Sequence, residues 1–399
     1  MEQMMNHTLA VGIHDLSFAT SHYQMNHSEL ARKYGVDLDK YRIGIGQSSM
    51  SVTAADEDIV TMAAEAAKPI VDRHGAADIR TVLLATETGV DQAKSAGVYV
   101  HSLLGLPSSA RVVELKQACY GATAALQFAA ALVHREPSQR VLVIATDIAK
   151  YELGSPGEAT QGAAAAAMLV SADPAILRIE SPSGLFAADI MDFWRPNYRS
   201  TALVDGKTSI TAYLQAVEGA WKDYVEQGGR PAAEFSAFCY HQPFTKMASK
   251  AHRHLAECSN LDGAAHEILG AVHNTTIYNR SIGNSYTASL YLGLASLLDH
   301  SRDLADQHIA LFSYGSGSVA EFFGATVVPG YGAQLRTAAH RRAIERRTPI
   351  DYAHYRALHE RTIPVDGGDY ELPEEGSGPY RLAAVSGHKR IYEPRMPRR

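Results

Sequence analysis

The sequence has few cysteines, no apolar run long enough to cross a membrane, and no strong excess of charge. Only 3 of its 399 residues are cysteine, and none stands in a Cys-x-x-Cys pair, so neither a disulfide scaffold nor a metal site is expected. The scarcity indicates a reducing compartment. Because the N-terminus shows no basic region followed by an apolar segment, we expect a cytoplasmic protein. A formal net charge of −6 disfavours binding to nucleic acid or to an anionic membrane.

Short apolar runs alternate with helical patterns along the chain, and 46% of the residues are apolar. This alternation predicts an α/β protein with largely buried strands. Several runs end in reactive residue types, and the carboxyl ends of strands are where open α/β sheets place their chemistry. The runs and the residues that follow them are Thr81–Thr86 with Glu87, Val141–Thr146 with Asp147, Phe235–Tyr240 with His241, and Ile309–Phe312 with the segment Ser313–Ser318.

The same succession of a strand, a polar segment, a helix of small residues and a second strand occurs twice. It surrounds Cys119 in the first half and Asn284 in the second. A duplicated α/β unit would place these two residues at equivalent positions across a pseudo-twofold axis. We therefore predict two halves, residues 1–175 with Glu87 and Cys119, and residues 176–399 with His241, Asn284 and the C-terminal helical and tail region.

Cys119 is the candidate nucleophile because it stands where a polar segment gives way to a long helix with almost no charge. Backbone N–H groups and the positive end of the helix dipole would favour a thiolate there. The alternative is a buried structural cysteine, which is the commoner role of this residue type. Cys239 and Cys258 lie in contexts that indicate structural or incidental roles.

Glu87 and His241 each follow a predicted buried strand. A carboxylate in a buried cleft loses hydration and becomes a usable base near neutral pH, whereas a carboxylate at a helix start simply serves the dipole. His241 is followed by a predicted helix on which Lys246 and Lys250, four residues apart, would share one face. Those lysines would be solvated or would receive the phosphates of an acyl-CoA. The Gly-rich segment Ser313–Ser318 can offer backbone N–H groups to an oxyanion.

The C-terminal part of the sequence carries a basic helical stretch, Leu335–Arg347, and ends in the segment Pro394–Arg399. A run of charged residues is typical of a solvated face. We therefore expect most of the stretch and the terminal segment to lie in solvent.

Ten short motifs together resemble one family, the 3-hydroxy-3-methylglutaryl-CoA synthases of the thiolase fold, and specifically the bacterial mevalonate-pathway type. They occur in the family's order over nearly the whole chain. The motifs are Ile43–Met50, Ala85–Thr88, Gln117–Thr123, Ile144–Asp147, Thr160–Ala163, Asp192–Pro196, Leu203–Gly206, His241–Met247, Gly283–Asn284 and Ser313–Ser318.

The resemblance implies a layered α-β-α-β-α fold and the condensation of acetyl-CoA with acetoacetyl-CoA. Cys119 would be acetylated, Glu87 would remove a proton from the acetyl methyl group, and His241 would polarise the second substrate and supply a proton. Backbone N–H groups at Cys119 and near Ser316 would stabilise oxyanions. The resemblance further implies a homodimer and no cofactor, and it suggests substrate contacts at Asp37, Tyr151, Thr160, Ser209, Lys246, Lys250, Asn284 and Ser316.

Other functions are compatible with parts of this pattern. A synthase that acts on an acetoacetyl chain held by an acyl carrier protein, as in polyketide β-branching, would use the same three residues. A ketoacyl synthase shares the Cys, His and Asn set but has no use for the carboxylate of Glu87. A cysteine hydrolase would form no carbon–carbon bond, and a non-catalytic thiolase-fold binding protein would not need the three residues together.

Overall fold

The computed structural model describes residues 9–261, 265–364 and 366–395 of the chain. The strands of these regions are β1 (Val11–Thr20), β2 (Tyr23–Asn26), β3 (Ser49–Val52), β4 (Ile79–Ala85), β5 (Arg111–Leu115), β6 (Arg140–Ile148), β7 (Ala163–Ala172), β8 (Leu177–Ala187), β9 (Phe193–Trp194), β10 (Leu203–Val204), β11 (Ala237–Tyr240), β12 (His308–Gly315), β13 (Val319–Val327), β14 (Thr348–Ile350), β15 (Tyr370–Glu371), β16 (Tyr380–Ser386) and β17 (Lys389–Pro394). The helices are α1 (His27–Tyr34), α2 (Asp39–Arg42), α3 (Ile59–His74), α4 (Ala96–Leu103), α5 (Gly121–Arg135), α6 (Gly206–Glu226), α7 (Lys246–Ser259), α8 (Ala265–His273), α9 (Ile277–Ile282), α10 (Ser289–His300), α11 (Thr337–Glu345) and α12 (Tyr352–Glu360).

The main sheet repeats one strand pattern in its two halves. In the first half, β1 pairs antiparallel with β7, β7 pairs antiparallel with β6, and β6 pairs parallel with β4. In the second half, β8, β13, β12 and β11 pair in the same order and with the same directions. The halves join where β1 meets β8, through the residue pairs Gly12–Arg178 and Ile13–Leu177. This repeat confirms the predicted duplicated α/β architecture.

Helices and sheets alternate in five layers. Helix α5 packs on β4, β6 and β7, helix α10 packs on β11 and β12, and both contact β1, so these two helices form the middle layer. Helices α3 and α4 cover the outer face of the first half, while α6 and α7 cover the outer face of the second. The α-β-α-β-α arrangement predicted from the resemblance is therefore confirmed.

Strands β1, β4, β6 and β7 of the first half are buried on both faces, as strands between two helical layers must be. Alternate residues of β4 point to opposite sides because side chains alternate along a strand. Leu83 joins the core around the middle helices, whereas Val82 and Leu84 join the core under α3. The alanine run Ala163–Ala167 in β7 is also fully buried, so tertiary packing overrides the low strand propensity of alanine.

The basic C-terminal stretch is only partly solvated, which corrects the expectation from sequence. Arg341 and Arg342 are exposed. Arg336, however, donates to the fully buried carboxylate of Asp15. Arg347 is 4% exposed and donates to the Ser51 hydroxyl at 2.9 Å. These arginines tie the C-terminal segment to the first half, because a buried carboxylate or hydroxyl needs a partner.

The terminal segment also departs from the expected solvated tail. Arg395 follows β17 and pairs with the buried carboxylate of Asp56. The rest of the expected tail, residues 396–399, lies outside the described residues. None of the helices in the described part of the chain is both long and apolar enough to cross a membrane.

Candidate active site

Cys119 lies between β5 and α5, two residues before the helix begins. The preceding residue, Ala118, has a φ of 43°, a left-handed conformation that is strained for a residue with a side chain. Cys119 is 8% exposed, and its Sγ lies 3.3 Å from Glu87 Oε1. The two predicted catalytic residues are thus brought together from different strands of the first half.

Glu87 follows β4 in a loop, and α4 begins only at Ala96. Glu87 therefore does not stand at a helix start, which rules out the alternative that its carboxylate only serves a helix dipole. Its loop is held by Asp147 of β6, whose carboxylate accepts hydrogen bonds from the backbone N–H groups of Glu87 and Thr88 at 2.9 and 3.0 Å. In the sequence, Asp147 is recognisable only as a residue at the end of a strand, and nothing there predicts that it holds the Glu87 loop.

Asp147 also joins the two halves at the site. Its second carboxylate oxygen accepts from the backbone N–H of Thr287 at 3.1 Å and from the Thr287 hydroxyl at 2.5 Å. Thr287 stands just before α10 of the second half. Asp147 is fully buried, and loss of hydration raises its pKa. The hydrogen bonds oppose that shift and hold the carboxylate, so Glu87 is positioned by both halves.

The electrostatics of the pair differ from the expectation that Cys119 would be a thiolate. Burial, together with the carboxylates of Glu87 and Asp147, raises the pKa of the Cys119 thiol well above its usual value. Burial and the neighbouring Asp147 raise the pKa of Glu87 to about 8. The positive end of the α5 helix dipole does not overcome these effects. Without substrate, Cys119 is therefore a thiol that donates a hydrogen bond to Glu87, whose carboxyl group has a pKa close to neutral pH.

His241 follows β11 and lines the same cavity as Cys119. Its backbone is fixed on both sides, since its N–H donates to Phe312 O at 2.9 Å and its carbonyl accepts from Tyr213 Oη at 2.7 Å. The side chain is 2% exposed, and burial lowers its pKa to about 3. The imidazole is therefore neutral at physiological pH and can donate one hydrogen bond.

A cavity of about 330 Å³ is lined by Cys119 and His241, while Glu87 lies behind its wall and reaches the site through its contact with the Cys119 sulfur. Most of the substrate contacts suggested by the sequence lie on its wall, together with both Cys119 and His241. Those residues are Tyr151, Thr160, Ser209, Lys250, Asn284 and Ser316. They come from both halves of the chain, so the cavity is a shared cleft, as the predicted pseudo-twofold arrangement requires.

Two of the suggested contacts lie elsewhere. Asp37 is exposed just before α2, where its carboxylate accepts from the backbone N–H of Asp39, and it does not line the cavity. Lys246 donates to Ile43 O at 2.9 Å and lines a neighbouring cavity. Only Lys250 lines the cavity that holds Cys119. The two lysines, four residues apart on α7, therefore line two different cavities.

The segment Asp192–Pro196 contributes to the site in a way that the sequence did not show. Asp192 is fully buried and accepts from Tyr314 Oη at 2.7 Å and from the Gly317 backbone N–H at 3.0 Å. The Gly317 amide is thus taken, which leaves the amides of Cys119 and Ser316 as the candidates for an oxyanion. Arg195 donates to the backbone oxygen of Glu87. In the sequence, the only indication that this segment belongs to the site is that it matches one of the ten family motifs.

An aromatic cluster forms one wall beside Cys119. The ring of Phe193 packs against Tyr151 and Tyr286, with centroid separations of 6.0 and 5.6 Å. All three side chains are buried and line the cavity. A wall of this kind restricts water around the sulfur, which strengthens the electrostatic interactions of the site.

When the two halves are aligned on their middle helices, Cys119 and Asn284 do not fall at equivalent positions, contrary to the prediction. A left-handed residue stands three positions before the start of each middle helix, Ala118 before α5 and Tyr286 before α10. This match aligns Cys119 with Thr287 and not with Asn284. Asn284 nevertheless reaches the cavity, because the chain before Tyr286 runs along its wall.

Comparison with known proteins gives matches over most of the chain. The family model described as hydroxymethylglutaryl-coenzyme A synthase N terminal matches residues 7–175, and the corresponding C terminal model matches residues 178–259 and 257–345. The hydroxymethylglutaryl-CoA synthase of Enterococcus faecalis is 41% identical over 386 residues, which cover 96% of this chain and 100% of that protein.

Two further matches are to a solved structure and to an ACP synthase. A crystal structure of an HMG-CoA synthase complexed with CoA superposes with a TM-score of 0.92 at 40% identity, covering 97% of this chain and 100% of that one. The polyketide biosynthesis 3-hydroxy-3-methylglutaryl-ACP synthase PksG of Bacillus subtilis (strain 168) is 31% identical over 351 residues, which cover 83% of each protein.

Proposed function

The chain belongs to the hydroxymethylglutaryl-coenzyme A synthase family, and we propose that its shared cavity condenses acetyl-CoA with acetoacetyl-CoA and water. The products are (S)-3-hydroxy-3-methylglutaryl-CoA and CoA, in the mevalonate pathway to isoprenoids. The protein is an acyltransferase. The observation that carries the mechanism is the 3.3 Å contact between Cys119 Sγ and Glu87 Oε1 in a site whose cavity also contains His241.

The first step transfers the acetyl group to Cys119. The Cys119 thiol gives its proton to the Glu87 carboxylate as its sulfur attacks the acetyl-CoA carbonyl. The backbone N–H groups of Cys119 and Ser316 stabilise the oxyanion that forms. When the C–S bond to CoA breaks, Glu87 returns the proton to the departing CoA thiolate. Acetylation thus leaves Glu87 as a carboxylate for the next step.

The second step forms the carbon–carbon bond. Glu87 removes a proton from the methyl group of acetyl-Cys119, and the resulting carbanion attacks the C3 carbonyl of acetoacetyl-CoA. The proton taken from the methyl group balances the proton that the new tertiary hydroxyl requires. Water then cleaves the enzyme thioester, which frees the product and restores the thiol. These steps use residues of the chain, CoA thioesters and water, so the reaction calls for no metal or prosthetic group.

His241 and Asn284 are proposed to hold the acetoacetyl group. His241 is neutral, since burial lowers its pKa to about 3. Its N–H therefore donates a hydrogen bond to the C3 oxygen and passes its proton to the alkoxide as negative charge develops. The proton that Glu87 took from the methyl group replaces it through water, so that the imidazole is neutral again. Tyr151, Thr160, Ser209, Lys250 and Ser316 line the remaining wall and are proposed to contact the CoA thioesters. Asp37 and Lys246, the other two suggested contacts, do not line this cavity.

We expect His241→Ala to impair the second half-reaction far more than the first. The kcat/KM for acetoacetyl-CoA should fall by on the order of 10²-fold, because the donor to the developing alkoxide is lost. Acetylation of Cys119 should change only severalfold. The two half-reactions can be separated by single-turnover kinetics. Tyr213→Phe, which removes only the bond to the His241 carbonyl, should cost much less; equal losses in both half-reactions of His241→Ala would contradict this assignment.

We expect the condensation rate to rise with pH through about 8. Glu87 accepts a proton only as a carboxylate, and burial and Asp147 raise its pKa to about 8 even with the lowering hydrogen bond from the Cys119 thiol, which acetylation removes. Below that pH the ionised fraction falls by about tenfold per pH unit. The measurement is the single-turnover rate of condensation from preformed acetyl-enzyme, with acetoacetyl-CoA binding followed at each pH. A rate that is flat from pH 6 to 9, with binding unchanged, would contradict the role of Glu87.

The acceptor is proposed to be free acetoacetyl-CoA and not a carrier-bound chain. The basis is the 41% identity to a hydroxymethylglutaryl-CoA synthase, against 31% to an ACP synthase. Both acceptors would meet the same three residues, so kinetics must separate them. We expect a higher kcat/KM with acetoacetyl-CoA than with the acetoacetyl group on an acyl carrier protein, and a strong preference for the carrier would overturn this choice.

Three features of organisation are also proposed. The boundary between the halves is placed at residues 175 and 176, in the turn between β7 and β8. A homodimer is proposed through β5, the end strand of the main sheet, where Val113 and the neighbouring Phe128 of α5 are exposed. A cytoplasmic location is supported by the three cysteines, all of which are free thiols.

A further inference from the structure

A cluster of three metal-binding residue types lies on the outer face of the second half. Glu218 belongs to α6, and His254 and Cys258 belong to α7, which packs against α6. His254 Nε2 lies 3.7 Å from Cys258 Sγ and 3.7 Å from Glu218 Oε2. The three ligand atoms all lie within 4.8 Å of one another. None of the three residues lines the catalytic cavity.

Two of the three spacings of the cluster fit a tetrahedral ion, and the third, between Cys258 Sγ and the Glu218 carboxylate, is no more than 4.8 Å. His254 and Cys258 are four residues apart on one helix, so their side chains share a face. In a zinc site with Zn–N of about 2.0–2.1 Å and Zn–S of about 2.3 Å, the ligand atoms are separated by about 3.3–3.6 Å. The two separations of 3.7 Å come within a few tenths of an ångström of those edges. Small side-chain movements would therefore complete three corners of a tetrahedron.

The surroundings of His254 add a second, independent feature. Its other ring nitrogen, Nδ1, lies 4.0 Å from Glu257 Oε2. This separation is too long for a hydrogen bond, but a rotation of the exposed Glu257 side chain would bring the carboxylate into range. A carboxylate that is hydrogen-bonded to the far nitrogen of a metal-bound histidine orients the ring and increases its basicity. Glu218 and Glu257 are exposed, while His254 and Cys258 are half-buried. Solvent can thus supply the fourth ligand, and the ion would have an open path.

The chemistry of the donor set selects the ion. One thiolate, one imidazole and one carboxylate suit Zn²⁺, whereas Mg²⁺ and Ca²⁺ prefer sites made of oxygen atoms alone. A plain ion pair between Glu218 and His254 would not require a thiol four residues further along the helix. The sequence showed no such site, because the ligands come from two helices and no spacing within one segment reveals them.

We propose that Glu218, His254 and Cys258 bind one Zn²⁺ ion, with water as the fourth ligand. Binding displaces the thiol proton of Cys258 to solvent, and the imidazole binds in its neutral form through Nε2. The ion links α6 to α7 on the outer layer of the second half. Because it binds the folded chain, it stabilises that layer.

The test is metal binding by the full, untagged chain in a Cys119→Ala background, which removes the cavity thiol as a competing ligand. Zn²⁺ is titrated against a chromophoric chelator. Co²⁺ is titrated in parallel, since a Co²⁺–thiolate bond gives a charge-transfer absorption in the near ultraviolet. We expect one equivalent per chain, the cobalt–thiolate band, and a Zn²⁺-dependent rise in the thermal midpoint of unfolding.

Variants separate this site from adventitious binding. His254→Gln and Cys258→Ser should each abolish the stoichiometric site and the Zn²⁺-dependent thermal shift, while unfolding at the parent midpoint without metal. Glu257→Gln should weaken binding by about tenfold. Cys239→Ala, which removes a fully buried thiol of β11, should change neither. Unaltered Zn²⁺ affinity in both His254→Gln and Cys258→Ser, or a Co²⁺ spectrum without the thiolate band, would overturn the proposal.

Discussion

Replacing Cys119 by alanine should leave a folded protein that takes up no acetyl group. The sulfur is the proposed attacking atom, and no other thiol lines the cavity in the described part of the chain. Turnover should therefore fall by at least on the order of 10⁴-fold, as expected when a covalent nucleophile is removed. The measurement is steady-state release of CoA, together with the mass of the protein after mixing with acetyl-CoA.

Cys239→Ala is the matched control for this variant. Cys239 is fully buried in β11 and does not line the cavity, so its loss removes a thiol without removing the nucleophile. We expect normal acetylation and a modest loss of stability from the small void. Acetylation of Cys119→Ala at the rate of the parent protein would show that another group carries the acetyl chain.

Replacing Glu87 by glutamine should separate the two half-reactions. The amide keeps the volume of the side chain but cannot accept a proton from a methyl group. Condensation should therefore fall by about 10³–10⁴-fold, within the range for loss of a general base. Acetylation should persist at a reduced rate, because the Cys119 thiol loses its proton acceptor at 3.3 Å while its sulfur stays in the cavity. Acetyl-enzyme should then accumulate.

Glu114→Gln provides the control for Glu87→Gln. Glu114 is a neighbouring carboxylate on β5 that accepts from the backbone N–H of Ala96 at 2.7 Å, and burial raises its pKa as well. Unlike Glu87, it makes no hydrogen bond with Cys119 among the described residues, so its neutralisation should leave condensation nearly unchanged. Should Glu87→Gln condense acetyl and acetoacetyl groups at the parent rate, the base would have to be a different residue.

The sequence could predict those parts of the site that depend on local pattern. Apolar runs ending at Glu87 and at His241 do form β4 and β11. Glu87 then contacts Cys119, which shares a cavity with His241. The family resemblance added what a pattern lacks, namely which strand ends act together. The repeated strand order and the layers followed from the same information, because each half repeats one α/β unit.

The sequence could not predict features that depend on contacts across the fold. Whether Cys119 is a thiol or a thiolate depends on the distance of two carboxylates and on burial, and these outweigh the helix N-terminus. Asp147 holds the Glu87 loop through residues from both halves, which no local spacing reveals. Arg336 and Arg347 were expected in solvent because charge runs usually are, yet buried polar partners hold them.

Intact-mass spectrometry in two stages tests the central proposal, that Cys119 receives an acetyl group and passes it on as a carbon nucleophile. The parent protein is first mixed with acetyl-CoA alone, and acetoacetyl-CoA is then added. The proposed mechanism requires one acetyl group per chain, located on Cys119, followed by its loss as 3-hydroxy-3-methylglutaryl-CoA appears. An unmodified chain in the first stage, or an acetyl group that acetoacetyl-CoA does not discharge, would contradict it.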